Sequence, residues 1–250
     1  MSGHSKWASI KHKKGKEDAK RGQIFGKLSR AVTVAAKEKG GNPDLNPGLA
    51  QAIEKAKEYN MPADNIKRAI QKGTGEIEGA TYEHMTYEAY GPGGVAMLVE
   101  IMTDNKNRTA ADMRHAFTKH GGKLGTTGSV AWMFEQKAVA LVPKDSNVDE
   151  DTLLTIVLDA GAEDMTAEDD HYEIIGEPQD LTNIKAALED STVAYSSAEV
   201  TFLPKDTVKP DSNDAKKLLK LMDALEEHED VQNVYANFDI PDDIIEELAG

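Results

Sequence analysis

Basic and aromatic side chains are interleaved at the start of the chain, a composition suited to contacts with phosphates and bases. The members of this N-terminal cluster are Lys6, Trp7, Lys11, His12, Lys13, Lys14, Lys16, Lys20 and Arg21. Lysine and arginine attract phosphates and release the counterions around them, which supplies most sequence-independent affinity for nucleic acid. Trp7 and His12 could stack on unpaired bases. Trp7 could instead pack on the helices that follow, so both interpretations stay open.

The overall charge of the chain hides a division between its two parts. The net charge is −15, yet residues 1–79 hold 16 Lys and Arg against 9 Asp and Glu, a local charge of +7. The remaining residues hold 13 against 35 and therefore carry −22. A basic segment attached to an acidic body is typical of proteins that bind polyanions through one end. We therefore expect the basic segment to bind nucleic acid.

The first predicted helix begins near Glu17 and ends at Gly40. Its inward face is defined by apolar residues at helical spacing, namely Phe25, Leu28, Val32 and Ala35. At 100° per residue, Lys20, Lys27, Arg30 and Lys37 fall on the opposite face. We expect the first three of these side chains to continue the nucleic-acid-binding surface of the N-terminal cluster.

Two further short helices are predicted before residue 80. One follows Pro47, and the other begins near Pro62 and carries Lys67 and Arg68, which could extend the basic surface. Three short amphipathic helices with brief connections are typical of a small bundle. Residues 1–79 are therefore predicted to form a basic three-helix bundle preceded by a flexible arm.

After residue 80 the pattern changes to alternating strands and helices. The segment 137–207 has the order βαββαβ, the split βαβ pattern of ferredoxin-like domains. Strands are predicted at 129–135 and 138–142, one on each side of its first boundary. Residues 80–136 and 208–250 are predicted to form one central α+β domain that this segment interrupts. The predicted fold class is a multidomain α+β protein with an N-terminal three-helix bundle and two α+β domains.

One turn in the acidic body carries a second group of basic side chains. A helix is predicted to begin at Thr109, with Asn107 or Thr109 as its N-cap. Arg108, Arg114 and His115 could give the body a secondary contact surface.

Other classes of site are not indicated by the sequence. The chain has no cysteine, His115 and His120 are not spaced as a helical metal pair, and the acidic clusters lack the pattern of a calcium loop. The Gly-rich turn 121–128 matches neither a P-loop nor a dinucleotide fingerprint. We therefore expect no metal, cofactor or catalysis. The absence of a long apolar segment or signal sequence predicts a cytoplasmic protein without a membrane partner.

Several motifs resemble those of the YebC family, and they follow one another in order along nearly the whole chain. They include Gly3–Trp7, Lys11–Lys14, Asp18–Gly22, Asn60–Pro62, Tyr90–Gly94, Thr103–Asn105, Asn107–Thr109 and Gly125–Phe134. The resemblance implies an N-terminal helical domain and two α+β domains. The family also includes mitochondrial translational activators. One departure is Gly48-Leu49-Ala50, where the family pattern leads us to expect basic residues.

Three functions follow from these observations. The resemblance implies either a DNA-binding transcriptional regulator or a ribosome-associated translation factor that binds ribosomal RNA and relieves stalling, for example at proline runs. A flexible arm of lysine, tryptophan and histidine favours irregular RNA slightly. A protein-interaction scaffold that uses the acidic body is the third possibility. The sequence does not predict an oligomeric state.

Overall fold

A computed structural model describes residues 17–168 and 170–240. The chain folds into two compact units. One unit is Trp132–Asp206, and the other holds the described residues on both sides of that segment. No described helix is both long and apolar enough to cross a bilayer.

The N-terminal part of the larger unit is a bundle of three helices, α1 (Glu17–Lys39), α2 (Pro47–Glu58) and α3 (Ala63–Thr74). Its core contains the buried side chains of Leu28, Val32, Ala36, Leu49, Ala56, Met61, Ile66 and Ala69. The buried side chain of Asn46 connects two helix ends. Its amide nitrogen donates to the carbonyls of Ala35 and Gly40, each at 2.8 Å, and its oxygen accepts from the backbone N–H of Leu49.

Helices α1 and α3 approach each other closely at Gly73. A Cβ added to Gly73 would lie 2.4 Å from the carbonyl oxygen of Thr33 and 2.7 Å from the Cβ of Ala36. The buried hydroxyl of Thr33 lies 3.1 Å from the carbonyl oxygen of Ala69 on α3. Only glycine at position 73 allows this separation between the two backbones.

The rest of the larger unit is the central α+β domain. Its elements are β1 (Glu83–Tyr90), β2 (Ala96–Thr103), α4 (Lys106–Lys119), β3 (Lys123–Leu124), α7 (Ser212–Glu226) and β8 (Val231–Ala236). The antiparallel sheet has the order β3-β1-β2-β8. Its apolar face is covered by Met113 and Phe117 from α4 and by Leu218, Leu221 and Leu225 from α7, all fully buried.

The smaller unit contains β4 (Phe134–Pro143), α5 (Glu150–Asp159), β5 (Ala162–Ala167), β6 (His171–Gly176), α6 (Leu181–Asp190) and β7 (Ser197–Pro204). The sheet order β5-β6-β4-β7 with antiparallel neighbours is the ferredoxin-like arrangement. Leu153, Val157, Ile174, Ile184 and Leu188 form its core. The fold is therefore an N-terminal helical bundle with two α+β domains.

Two predicted element boundaries differ from the structure. The strands expected at 129–135 and 138–142 are one continuous strand that begins at Phe134, so residues 134–136 pair within the inserted unit rather than the central domain. The helix expected from Thr109 begins at Lys106, because the side chain of Asn105 accepts from the backbone N–H of Arg108 at 3.1 Å and forms the N-cap.

Candidate nucleic-acid interface

Part of the predicted N-terminal cluster lies outside the described residues. These positions are Lys6, Trp7, Lys11, His12, Lys13, Lys14 and Lys16. For Lys20, the structure describes the helical backbone of α1 only. The remaining predicted residues of the basic segment are Arg21, Lys27, Arg30, Lys67 and Arg68, and each lies on α1 or α3.

A groove of about 250 Å³ lies between α1 and α3. We call it the α1–α3 groove, and its lining residues are Phe25, Gly26, Ser29, Met61, Asn65, Arg68, Ala69 and Lys72. Asn65, Arg68 and Lys72 follow one another at intervals of three and four residues, so they share one face of α3. That face presents an amide, a guanidinium and an ammonium group to the groove.

The cations of the α1–α3 groove are available to a ligand. Arg68 and Lys72 are exposed, and neither forms an ion pair with another described residue. Exposed Arg21 extends the basic surface along α1, where its guanidinium carbon lies 5.4 Å from the centre of the Phe25 ring. Lys67 is exposed as well but does not line the groove. The groove can therefore accept an anion such as a phosphate.

Lys27 and Arg30 are engaged with the central domain instead. The ammonium group of Lys27 donates to the carbonyl oxygen of Glu226, at the end of α7, at 2.7 Å. Arg30 donates to the carbonyl oxygen of Glu229 and pairs with its carboxylate at 3.2 Å. Arg30 also lies over the ring of Tyr82. Cations at a helix C-terminus stabilise its unpaired carbonyls, so these two residues attach α1 to the central domain.

The predicted secondary surface is divided in the structure. The guanidinium of Arg108 contacts Asp104 at 2.9 Å and Asp230 at 3.0 Å, and is therefore held by carboxylates of its own domain. Arg114 and His115 are exposed on α4 and pair with no described acidic residue. The structure thus separates Arg108 from the other two members of the predicted surface.

Asp230 is the buried centre of the contacts around Arg108. Its Oδ2 lies 2.7 Å from the hydroxyl of Thr109 and 3.1 Å from that of Thr103. Burial raises the pKa of Asp230, but hydrogen bonds from Thr109, Arg108 and Thr103 outweigh burial and hold that pKa below its ordinary value. The polar turn at 103–109 therefore fixes α4 to the start of β8.

A second buried carboxylate, that of Glu88, organises the Gly-rich turn. It accepts from the backbone N–H groups of Gly128, Val130 and Ala131 at 2.5, 2.7 and 2.8 Å. Burial raises the pKa of Glu88, but these backbone hydrogen bonds together lower it below its ordinary value of 4.5. These three N–H groups are therefore occupied by the protein's own carboxylate.

Comparison with known proteins gives the family of this chain. Residues 5–76 match the model of the TACO1/YebC N-terminal domain, and residues 82–238 match the model of the TACO1/YebC second and third domains. The chain belongs to the TACO1/YebC family. Both matched segments follow the division into a helical bundle and two α+β domains.

Relatives of this TACO1/YebC chain carry a regulatory name. A protein of Rubrobacter xylanophilus is 55% identical and one of Dictyoglomus turgidum is 54% identical, and each match covers all of both chains. Both are named "Probable transcriptional regulatory protein". The crystal structure of a conserved hypothetical protein from Aquifex aeolicus is similar with a TM-score of 0.81 and 47% identity. That match covers 90% of this chain and 93% of the other.

Sequence reasoning did not identify Ser29 and Asn65 as members of the groove in this TACO1/YebC chain. Both are uncharged polar residues, and only the close packing of α1 on α3 places them together. Four lysines of the central domain, Lys119, Lys123, Lys217 and Lys220, were not predicted to form a group. Their proximity depends on how α4 packs beside α7, which the sequence does not show. Among the described residues, no group of three or more His, Asp or Glu is arranged to hold a metal ion.

Proposed function

We propose that this chain is a non-catalytic, cytoplasmic regulator of gene expression that binds nucleic acid through the α1–α3 groove and the N-terminal cluster. The observation that carries the proposal is the placement of Arg68 and Lys72 on one groove wall without ion-pair partners among the described residues. The local charge of +7 in residues 1–79 supports it, because it attracts phosphates to this end of a chain with net charge −15.

The mode of binding that these residues favour is contact with the phosphate backbone. Lys72 can neutralise a phosphate, Arg68 can donate two parallel hydrogen bonds to one, and the side chains of Asn65 and Ser29 can donate to its oxygens. DNA is the first candidate target, because the relatives are named as transcriptional regulators. RNA, including ribosomal RNA, is the second, because lysines interleaved with Trp7 and His12 suit irregular single strands.

The test removes two groove cations and compares the result with an equal loss of charge elsewhere in the bundle. We expect Arg68→Gln with Lys72→Gln to weaken binding roughly tenfold or more and to reduce the salt dependence by about two phosphate contacts. The control is Lys39→Gln with Lys57→Gln, two exposed lysines outside the groove. Binding is measured by fluorescence anisotropy from about 50 to 200 mM salt, with a duplex DNA and a single-stranded RNA of the same sequence.

A second pair of variants changes the shape of the groove without changing its charge. A Cβ at Gly26 or at Gly22 would meet no atom within 4 Å, but only Gly26 lines the groove. Gly26→Leu should therefore weaken binding while Gly22→Leu should not. Equal binding by the groove variants and their controls would contradict the proposal. The probe that binds more tightly at equal salt decides between DNA and RNA.

A further inference from the structure

The acidic body contains a concentrated group of cations at one end of α4 and α7. Residues 80–250 hold only 13 Lys and Arg, yet five of them are lysines at positions 119, 123, 216, 217 and 220. We define the α4–α7 patch as His115, Lys119, His120, Lys123, Lys217 and Lys220. A group of cations on a chain with net charge −15 attracts anions to one place on its surface.

The members of the α4–α7 patch are close in space. Burial is the largest cause of a lowered pKa at His120, and the charges of Lys119 and Lys220 and the neighbouring His115 lower it further. The side chain of Lys217 passes 3.8 Å from where a Cβ on Gly121 would stand. Lys119, Lys220 and His115 therefore lie near His120, and the Gly121 contact places Lys217 beside them.

Most cations of the patch have no acidic partner among the described residues. Lys119, Lys123 and Lys220 are exposed and form no ion pair there, and Lys123 lies 5.7 Å from the centre of the Tyr90 ring. Lys217 pairs with Asp214 at 2.9 Å, one turn away on α7, in an exposed and hence weak ion pair. The three unpaired ammonium groups are available to an external anion.

A shallow cavity of about 340 Å³ adjoins the patch at Lys123. Its other lining residues are Tyr90, Gly91, Gly93, Gly94, Gly121 and Gly122. A Cβ on Gly94 would meet no atom within 4 Å and one on Gly121 would meet only Lys217 at 3.8 Å, so a ligand can approach the backbone closely at these two glycines. Lysine ammonium groups bind phosphates as point charges and need no fixed bidentate geometry, so several lysines along this surface suit a phosphate backbone.

We propose that the α4–α7 patch is a second phosphate-backbone contact for the nucleic acid that binds the α1–α3 groove. This inference rests on the proposed function, and it assigns a role to the central domain that the groove does not require. Two separated basic sites on an otherwise acidic chain would fix the path of one nucleic acid across it, while the surrounding carboxylates repel other placements.

The test is the triple variant Lys119→Gln, Lys123→Gln and Lys220→Gln in the full chain. Its control is Lys106→Gln, Lys144→Gln and Lys205→Gln, which removes the same charge from exposed positions outside the patch. With the same DNA and RNA probes, we expect the patch variant to bind at least tenfold more weakly at about 0.15 M salt. The slope of log affinity against log salt should fall by about two to three, since each lost phosphate contact contributes about 0.7 to 0.9. The control should retain affinity and slope.

The outcomes separate this inference from the proposed function. If the patch variant matches its control while the groove variant binds weakly, the inference is wrong and the proposed function stands. If the patch variant binds weakly and the groove variant does not, the patch is a site and the groove proposal is wrong. Sedimentation velocity without nucleic acid gives a third readout. A change of oligomeric state in the patch variant with unchanged nucleic-acid binding would assign the patch to a second copy of this chain and overturn the inference.

Discussion

Two buried carboxylates, those of Glu88 and Asp230, determine the local structure of the central domain. Each is compensated by several donors, backbone N–H groups for Glu88 and the side chains of Thr103, Thr109 and Arg108 for Asp230. A buried carboxylate that keeps a low pKa needs such donors, because burial alone favours its neutral form. The polar turn at 103–109 and the segment 128–131 that follows the Gly-rich turn are thus explained by partners distant in sequence.

Replacement of Glu88 by glutamine should destabilise the central domain. Glutamine keeps one acceptor oxygen but turns its NH₂ group toward a backbone N–H, so at least one charged hydrogen bond is lost, at a cost of roughly 1.5–3 kcal/mol. The folded-state pKa of Glu88 is lowered, so its contribution is fully present above its ordinary value of 4.5 and is lost as pH falls through the folded pKa. The difference in unfolding free energy between wild type and Glu88→Gln should therefore be largest at neutral pH and shrink in acid.

The matched control for this prediction is Glu78→Gln, which makes the same chemical change at an exposed loop position. Urea denaturation from neutral pH to about pH 3 measures both variants. A constant difference between wild type and Glu88→Gln across this range would show that the Glu88 carboxylate is not the stabilising species.

Helix α1 contacts both the bundle core and the central domain, and these two contacts explain its apolar and its basic residues. One side packs in the bundle core through Leu28 and Val32, and another carries Lys27 and Arg30 to the end of α7. The bundle contact depends on Gly73, because α3 lies so close to α1 there that a Cβ on residue 73 would clash with the α1 backbone. A small residue at a helix contact is needed for close approach, not for flexibility.

The substitution Gly73→Ala should destabilise the bundle although alanine is the better helix former. The new Cβ would lie 2.4 Å from the carbonyl oxygen of Thr33, a backbone atom that can move only if the helices separate. We expect a loss of roughly 1–3 kcal/mol from overpacking. Gly22→Ala on α1 meets no atom within 4 Å and should stabilise by up to about 1 kcal/mol. Chemical denaturation of the two variants checks the opposite signs, and a stabilised Gly73→Ala protein would show that this close contact does not form.

The sequence predicted helices and strands well where one periodic face determines them, and less well where distant contacts do. The three bundle helices and the βαββαβ segment followed from periodicity. Lys27 and Arg30 were predicted to contact phosphates, but they contact residues at and just beyond the end of α7, which a helical wheel cannot show. Arg108 was predicted to lie on a contact surface, but it pairs with Asp230, which is 122 residues away in the sequence. A sequence shows which residues are basic, but it does not show which of them form ion pairs with acidic residues elsewhere in the fold.

Across the whole molecule, charge and packing divide the chain in different places. The sign of the charge changes near residue 79, whereas the two compact units separate at Trp132 and Asp206. The basic bundle and the acidic central domain therefore belong to one unit, joined through Lys27 and Arg30. Attachment of the acidic domain to the bundle limits the surfaces on which a polyanion can lie.

The inserted unit should unfold independently of the rest of the chain. It has its own apolar core. Its two ends are adjacent, because the backbone N–H of Lys205 donates to the carbonyl oxygen of Met133 at 2.9 Å. Leu153→Ala and Leu221→Ala remove fully buried side chains from the inserted and central cores and should each cost about 2–5 kcal/mol. In hydrogen exchange with mass spectrometry, Leu153→Ala should lower protection within 132–206 only, and Leu221→Ala only outside that segment. Loss of protection in both units from either variant would mean that they unfold as one, since a shared unfolding transition transmits any loss of core stability to the whole chain.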